Sequence, residues 1–185
     1  MVKEKDILDS LDEEWRTNWD KKIKLNIGCG LDIKEGWENY DMYPADKRVK
    51  YINLLELPLS LPDNHADFVL LSHVLEHMVH RKEFMHEISR ILKPDGLSMI
   101  ILPGYHFSMD HHSCFHGKGY LGTVCHGLSK NDAVGHAAPR PFVLVKFKAD
   151  YESLIGFLRN IVQWIKILSK RQVHFVIKNN KQEQK

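Results

Sequence analysis

The segment Leu25-Asn26-Ile27-Gly28-Cys29-Gly30 constrains the fold of this chain more than any other. An apolar run ends in Gly-x-Gly, and an acidic residue, Asp41, closes the next apolar segment. Glycines placed directly after a strand let the backbone approach a ligand that a Cβ would hold away. A carboxylate one strand further on suits the hydroxyls of a ribose. Together they predict a nucleoside-type cofactor at the edge of a parallel sheet. Position 33 is Ile33, so the third glycine of a dinucleotide fingerprint is missing, which argues against NAD or FAD.

The rest of the chain alternates strand-like and helix-like segments. Leu8, Leu11, Trp15 and Trp19 recur at spacings of three and four, which predicts one amphipathic N-terminal helix within residues 1–20. Strands are predicted over 23–27, up to Asp41, over 49–52, and over 66–71, where Phe68 to Leu71 form a run buried on both sides. A helix over 80–92 presents Phe84, Ile88 and Leu92, and Pro94 with Gly96 ends it in a turn. Further strands are expected over 97–102, 142–147 and 172–177, with a helix over about 150–168. Trp164 and Ile167 lie off the main apolar face of that helix and offer a homodimer contact or an apolar lid. Residues 103–141 show no period and read as an irregular insertion on the substrate side, and 178–185 read as a frayed tail.

This order predicts a Rossmann-like, doubly wound α/β sheet in three layers, mostly parallel, with the seventh strand antiparallel. The short stretch between the first two strands is near the minimum for a parallel crossover, so a loop or a single helical turn is expected there. One domain spanning 1–185 is of ordinary size for a buried core.

Four stretches carry a family resemblance: LNIGCG (25–30), GWENYD (36–41), LPLSLPDNHADFVLLSHVLEH (57–77) and EISRILKPDGLSMIILP (87–103). In order and spacing they resemble the small class I S-adenosylmethionine-dependent methyltransferases of the type 11 kind. That resemblance implies S-adenosylmethionine as cofactor and methyl transfer as the reaction. It also implies roles for particular positions. The turn Gly28-Cys29-Gly30 would take the carboxylate end of the cofactor through its amides, with Asn26 beneath it at the end of the strand. Asp41 would hold the ribose. Asn53 stands where relatives commonly carry Asp, and its carbonyl oxygen keeps an acceptor for the adenine amino group, with Leu54 packing on the ring. Ser72 and His73 would end the fourth strand beside the sulfonium.

Methyl transfer from a sulfonium needs a base only when the acceptor must lose a proton. His73 is the best-placed candidate, and His77 falls one turn further along if a helix begins there; Glu76 would orient one of them. The alternative is that His73-Val74-Leu75-Glu76-His77 only packs and caps, as it does in relatives with unrelated substrates. Tyr105 and His106 follow the fifth strand and should line the substrate pocket.

Absent motifs narrow the acceptor. The fourth strand ends in Ser-His, not in the Asn/Asp-Pro-Pro-aromatic signature of enzymes that methylate nucleic-acid bases. No Asp stands there for magnesium, and no Lys-Asp-Lys-Glu set of ribose methyltransferases is evident. A small molecule or a glycan is therefore the favoured acceptor. Half of the twelve histidines lie in 103–141, with Cys114 and Cys125, but their spacing matches no zinc pattern, and no metal is assigned.

Composition bounds the rest. A net charge of +2 hides an acidic start, seven acids against three bases in 1–20, and a basic end, nine bases against three acids in 142–185. Two solvated surfaces are the favoured reading, and a basic C-terminal face that meets an anionic partner is the alternative. Three cysteines without framework spacing suit a reducing compartment, and the charged start MVKEKDILDS does not read as a signal peptide, so a cytoplasmic location is expected. Two other functions stay open: a cofactor-binding regulatory or scaffold protein without catalysis, and a dinucleotide-dependent oxidoreductase, which Ile33 disfavours.

Overall fold

The computed structural model describes residues 2–103 and two further strands, 142–151 and 170–179. The chain begins with α1 (Glu4–Leu8) and α2 (Glu13–Thr17), followed by a 3-10 turn over Trp19–Lys21. The single N-terminal helix expected from the apolar spacing is thus broken in two. Short polar side chains break it. The Ser10 hydroxyl donates to the Ile7 carbonyl at 2.6 Å, and Asp12, in extended conformation, accepts the Trp15 N–H at 3.0 Å and restarts the helix. Of the apolar set, Leu11 and Trp19 are buried and Leu8 and Trp15 pack beside them, and Ile7, outside that set, is buried as well. Helices this short are marginal alone, so packing holds them.

The strands are β1 (Lys24–Ile27), β2 (Glu38–Asp41), β3 (Val49–Tyr51), β4 (Ala66–Ser72), β5 (Leu92–Pro103), β6 (Phe142–Tyr151) and β7 (Lys170–Asn179), and α3 (Arg81–Ile91) precedes β5. Among the described residues they form one sheet in the order β3-β2-β1-β4-β5-β7-β6. β1 pairs in parallel with β2 and β4, β2 with β3, and β4 with β5. β7 runs antiparallel to both β5 and β6.

Alternation along the strands sorts their side chains into two cores. Leu25, Ile27, Val69, Leu71, Ile100, Leu102 and Ile177 point to the face covered by Phe84, Met85, Ile88 and Ile91 of α3. Phe68, Leu70, Met99, Ile101 and Val176 point to the other face, under Ile7, Leu11, Trp19 and Trp37. No helix stands between β1 and β2. The loop 28–37 makes the crossover, and its Trp37 ring meets Phe68 and Trp19 edge-on, covering the sheet where a crossover helix would sit. The N-terminal segment covers the remainder of that face.

Three boundaries differ from expectation. β5 starts at Leu92, directly after α3, because the Pro94–Gly96 turn is a bulge within the strand: Ala66 faces Leu92 while Phe68 faces Leu97, and Asp95 adopts φ 63°. β6 continues to Tyr151, so the helix expected from 150 cannot begin there; 152–169, with Trp164 and Ile167, lie outside the described residues. Lys178 and Asn179 belong to β7 rather than to a frayed tail. Asn179 is fully buried, and its Nδ2 donates to the carbonyls of Ser89, Leu92 and Lys93 at 3.1, 3.2 and 3.0 Å. It thereby satisfies carbonyls that the end of α3 leaves open. Residues 180–185 lie outside the described residues.

Candidate active site

The chain leaves β1 toward β2 and β3 on one side, and enters β4 and β5 on the other. At such a switch point the crossovers diverge and open a crevice at the C-terminal ends of the central strands. Most of the residues singled out in the sequence come to that edge.

The glycine turn follows β1. Gly28 and Gly30 adopt φ 68° and 49°, which side chains disfavour. The two serve different ends. A Cβ on Gly28 would lie 2.5 Å from Val74 Cγ2, whereas one on Gly30 would meet nothing within 4 Å. Gly28 is needed for packing beneath the turn, and Gly30 leaves open backbone beside the crevice. The amides do not stand ready for an anion, as the sequence suggested. The Gly28 and Cys29 N–H groups donate to the Tyr40 carbonyl at 2.8 and 3.1 Å, and the Gly30 N–H donates to Asp41 Oδ2 at 2.8 Å. The end of β2 supplies the acceptor for each of the three. Cys29 is itself buried, and burial, reinforced by the Asp41 charge, pushes its thiol up to about 11. It is a packing residue, not a nucleophile.

Asp41 ends β2 half-buried. Its Oδ1 accepts the Tyr43 N–H at 2.8 Å while Oδ2 takes Gly30. A carboxylate has about four lone-pair sites, so further donors still find acceptors. Two backbone bonds fix its direction. Asn26 lies deeper and is buried. Its amide hydrogens go to the Asp32 carbonyl at 2.8 Å and to Asn39 Oδ1 at 3.1 Å. Asn39, also buried, accepts the Lys34 N–H at 2.9 Å and donates to the Lys34 and Trp37 carbonyls at 2.9 and 3.1 Å. The two amides tie down the loop 28–37. Asn39 is not marked by the sequence, because Glu38 and Asp41 in the same short strand are polar too.

Asn53 follows β3, and its Oδ1 accepts the Leu55 N–H at 3.1 Å. Leu54 is buried in the α3-side core beneath Gly28, and Leu55 is exposed. Ser72 closes β4 opposite Ile101. His73 comes next with φ 58°, and its N–H donates to the Ile101 carbonyl at 2.9 Å. Its ring Nδ1 lies 3.2 Å from Glu76 Oε1. No α-helix begins here. Leu75–His77 make a single 3-10 turn, whose spacing of three brings Glu76 over His73 rather than His77 onto the same face. His77 is exposed, while Glu76 is wholly buried. Val74, which walls Gly28, was also missed; no sequence signal marks it.

Tyr105 and His106 lie outside the described residues, as do the histidines of 104–141 with Cys114 and Cys125. Among the described residues no group of three His, Cys, Asp or Glu side chains could hold a metal ion.

Comparison with known proteins bears on the fold. The family model described as a methyltransferase domain matches residues 25–100. Solved structures share the fold. An S-adenosylmethionine-dependent methyltransferase from Methanosarcina mazei is similar with a TM-score of 0.60 at 13% identity, covering 97% of this chain and 99% of that one. A putative sarcosine dimethylglycine methyltransferase from Galdieria sulphuraria is similar with a TM-score of 0.57 at 16% identity, covering 97% and 92%. The [4+2]-cyclase SpnF is similar with a TM-score of 0.56 at 12% identity, covering 86% and 74%. No curated protein sequence matches significantly.

Proposed function

We propose that this chain, a class I S-adenosylmethionine-dependent methyltransferase, transfers the cofactor's methyl group to a small molecule or a glycan, with His73 at the reacting end of the site. The observation that carries the site assignment is the joint presence, at the switch point, of an open glycine backbone at Gly30, an oriented carboxylate at Asp41 and a constrained histidine after β4.

The residues suit the cofactor. Asp41 retains acceptor sites for ribose hydroxyls, and Gly30 leaves room for a ligand to approach the backbone. Asn53, next to the exposed Leu55, offers an amide for the adenine edge. Leu54 supports that wall from the core. Gly28, Cys29 and Asn26 act from beneath, holding the turn and its loop. Ser72 and His73 stand at the end of β4 and would face the sulfonium.

S-Adenosylmethionine supplies a methyl group already activated for in-line displacement. The protein must therefore mainly align two reactants and exclude water. Where the acceptor carries a proton, His73 takes it, with His77 as the second candidate. Tyr105 and His106 would line the acceptor side. The absence of a nucleic-acid-base or magnesium motif after β4 supports a small molecule or glycan. Cysteines without framework spacing support a cytoplasmic location, and among the described residues no helix is long and apolar enough to cross a membrane.

The test is a screen of acceptors by release of S-adenosylhomocysteine. One acceptor class should give turnover that stops when His73 is replaced by Asn. Cofactor binding with no turnover across a broad panel would instead favour a binding protein of the same fold.

A further inference from the structure

Glu76 is a costly residue in its place. Its side chain is wholly buried, and Oε2 has no hydrogen-bond partner. Burying a carboxylate without full compensation is unfavourable. Among the described residues, Glu76 Oε1 lies 3.2 Å from His73 Nδ1, and no ion pair joins Glu76 to Arg81 on the same stretch, whose Nε donates to the Leu75 carbonyl at 3.2 Å.

His73 is constrained as well. Its φ of 58° is a left-handed conformation, and its N–H is fixed on the Ile101 carbonyl. Such local strain persists only where the surroundings over-determine it, and it clusters at functional sites. The 3.2 Å contact between Nδ1 and Glu76 Oε1 adds control of the ring to control of the backbone.

We propose that Glu76 is a positioning residue: its buried carboxylate accepts the Nδ1–H of His73, selects that tautomer and makes Nε2 the basic nitrogen. The hydrogen bond on one ring nitrogen decides which nitrogen carries the proton. This rests on the reading of His73 as the base. When an acceptor O–H or N–H is methylated, its heteroatom forms the new bond to carbon. The carbon–sulfur electron pair stays with sulfur, and the acceptor's proton goes to His73 Nε2. The positive charge then on the imidazole lies beside Glu76 Oε1, where a carboxylate stabilises it.

The tautomer is measured directly by nitrogen-15 NMR of the histidine side chains, with His73 assigned by its loss in His73→Asn. In the wild type, Nδ1 should be the protonated nitrogen and Nε2 the bare one. In Glu76→Gln the preference should weaken to a mixture. Wild-type His73 with a bare Nδ1 overturns the proposal, whether or not Glu76→Gln folds. On the acceptor found by the screen, Glu76→Gln should lower kcat about ten- to a thousandfold and leave cofactor affinity within about twofold. The His73→Asn/Glu76→Gln double variant should be no slower than His73→Asn alone, because the two residues act as one unit. An equal rate loss from Glu76→Gln in both backgrounds would mean that Glu76 acts independently of His73, and would also overturn it. If the wild type does not bind cofactor, the functional reading fails, yet the tautomer still decides the role of Glu76.

Discussion

Asp41 shapes the fold and, in the proposed function, the cofactor site as well. Its two oxygens hold the Gly30 and Tyr43 amides, so the carboxylate that would meet the ribose also shapes the turn beside it. Asp41→Ala should weaken S-adenosylmethionine binding by roughly 1.5–3 kcal/mol, the range for hydrogen bonds to a charged group. Calorimetric affinity equal to wild type would remove Asp41 from the site. The two glycines separate packing from access. Gly28→Ala places a Cβ against Val74 at φ 68° and should lower the melting temperature clearly, whereas Gly30→Ala bears only the conformational cost, about 1–2 kcal/mol. Equal melting temperatures for the two variants would contradict that distinction. Asp41 and the glycines were legible in sequence because their order along the chain is itself the signal. The pairing of the turn amides with β2 was not, because it depends on the register that sets Leu25 against Glu38.

Among the elements, the N-terminal segment departs most from the sequence pattern. Apolar spacing identified Leu11 and Trp19, which are buried, and Leu8 and Trp15, which pack beside them, but not the fully buried Ile7. It did not reveal the break, because Ser10 and Asp12 compete for the backbone through local hydrogen bonds. Asp12→Ala should cost about 1 kcal/mol through the lost cap, read from chemical denaturation. β2, β3 and the approach to β4 are joined by another polar group. Glu38 accepts from the Tyr40 hydroxyl at 2.7 Å and the Lys50 ammonium at 3.0 Å, and lies 2.9 Å from His65 Nε2. Burial alone would raise the Glu38 carboxyl, but the hydrogen bonds from Tyr40, Lys50 and His65 outweigh it and bring it to about 2, below its ordinary 4.5. A depressed carboxyl stabilises the folded state above its unfolded value, and that stability is lost as pH falls. Wild-type stability should therefore decline from about pH 4.5 toward pH 2. Glu38→Gln should lose on the order of 2 kcal/mol at neutral pH and show a flatter acid slope. An unchanged slope would show that the group contributes nothing to acid stability.

For the molecule as a whole, the doubly wound sheet could be read from the alternation of apolar segments. The strand bounds from β1 to β4 shifted by a residue or so. The bulge in β5 and the final residues of β7 could not be read. Pro94, Asp95 and Gly96 form a turn by local chemistry, which the β4 register absorbs into a strand, and Asn179 is polar by type but buried by its bonds to the end of α3. For the candidate site, sequence order placed Asp41 and Ser72 at the ends of their strands. It did not give the contact between His73 and Glu76, which needs the 3-10 turn. The proposed function requires one cofactor at the C-terminal ends of the central strands. The direct measurement is calorimetric titration of the wild-type chain with S-adenosylhomocysteine and, separately, with NAD, alongside the melting temperature. The expected result is one S-adenosylhomocysteine site per chain, a melting temperature that rises with ligand concentration by mass action, and no comparable response to NAD. A folded chain that gives no heat and no thermal shift with S-adenosylhomocysteine, or that prefers NAD, would contradict the account.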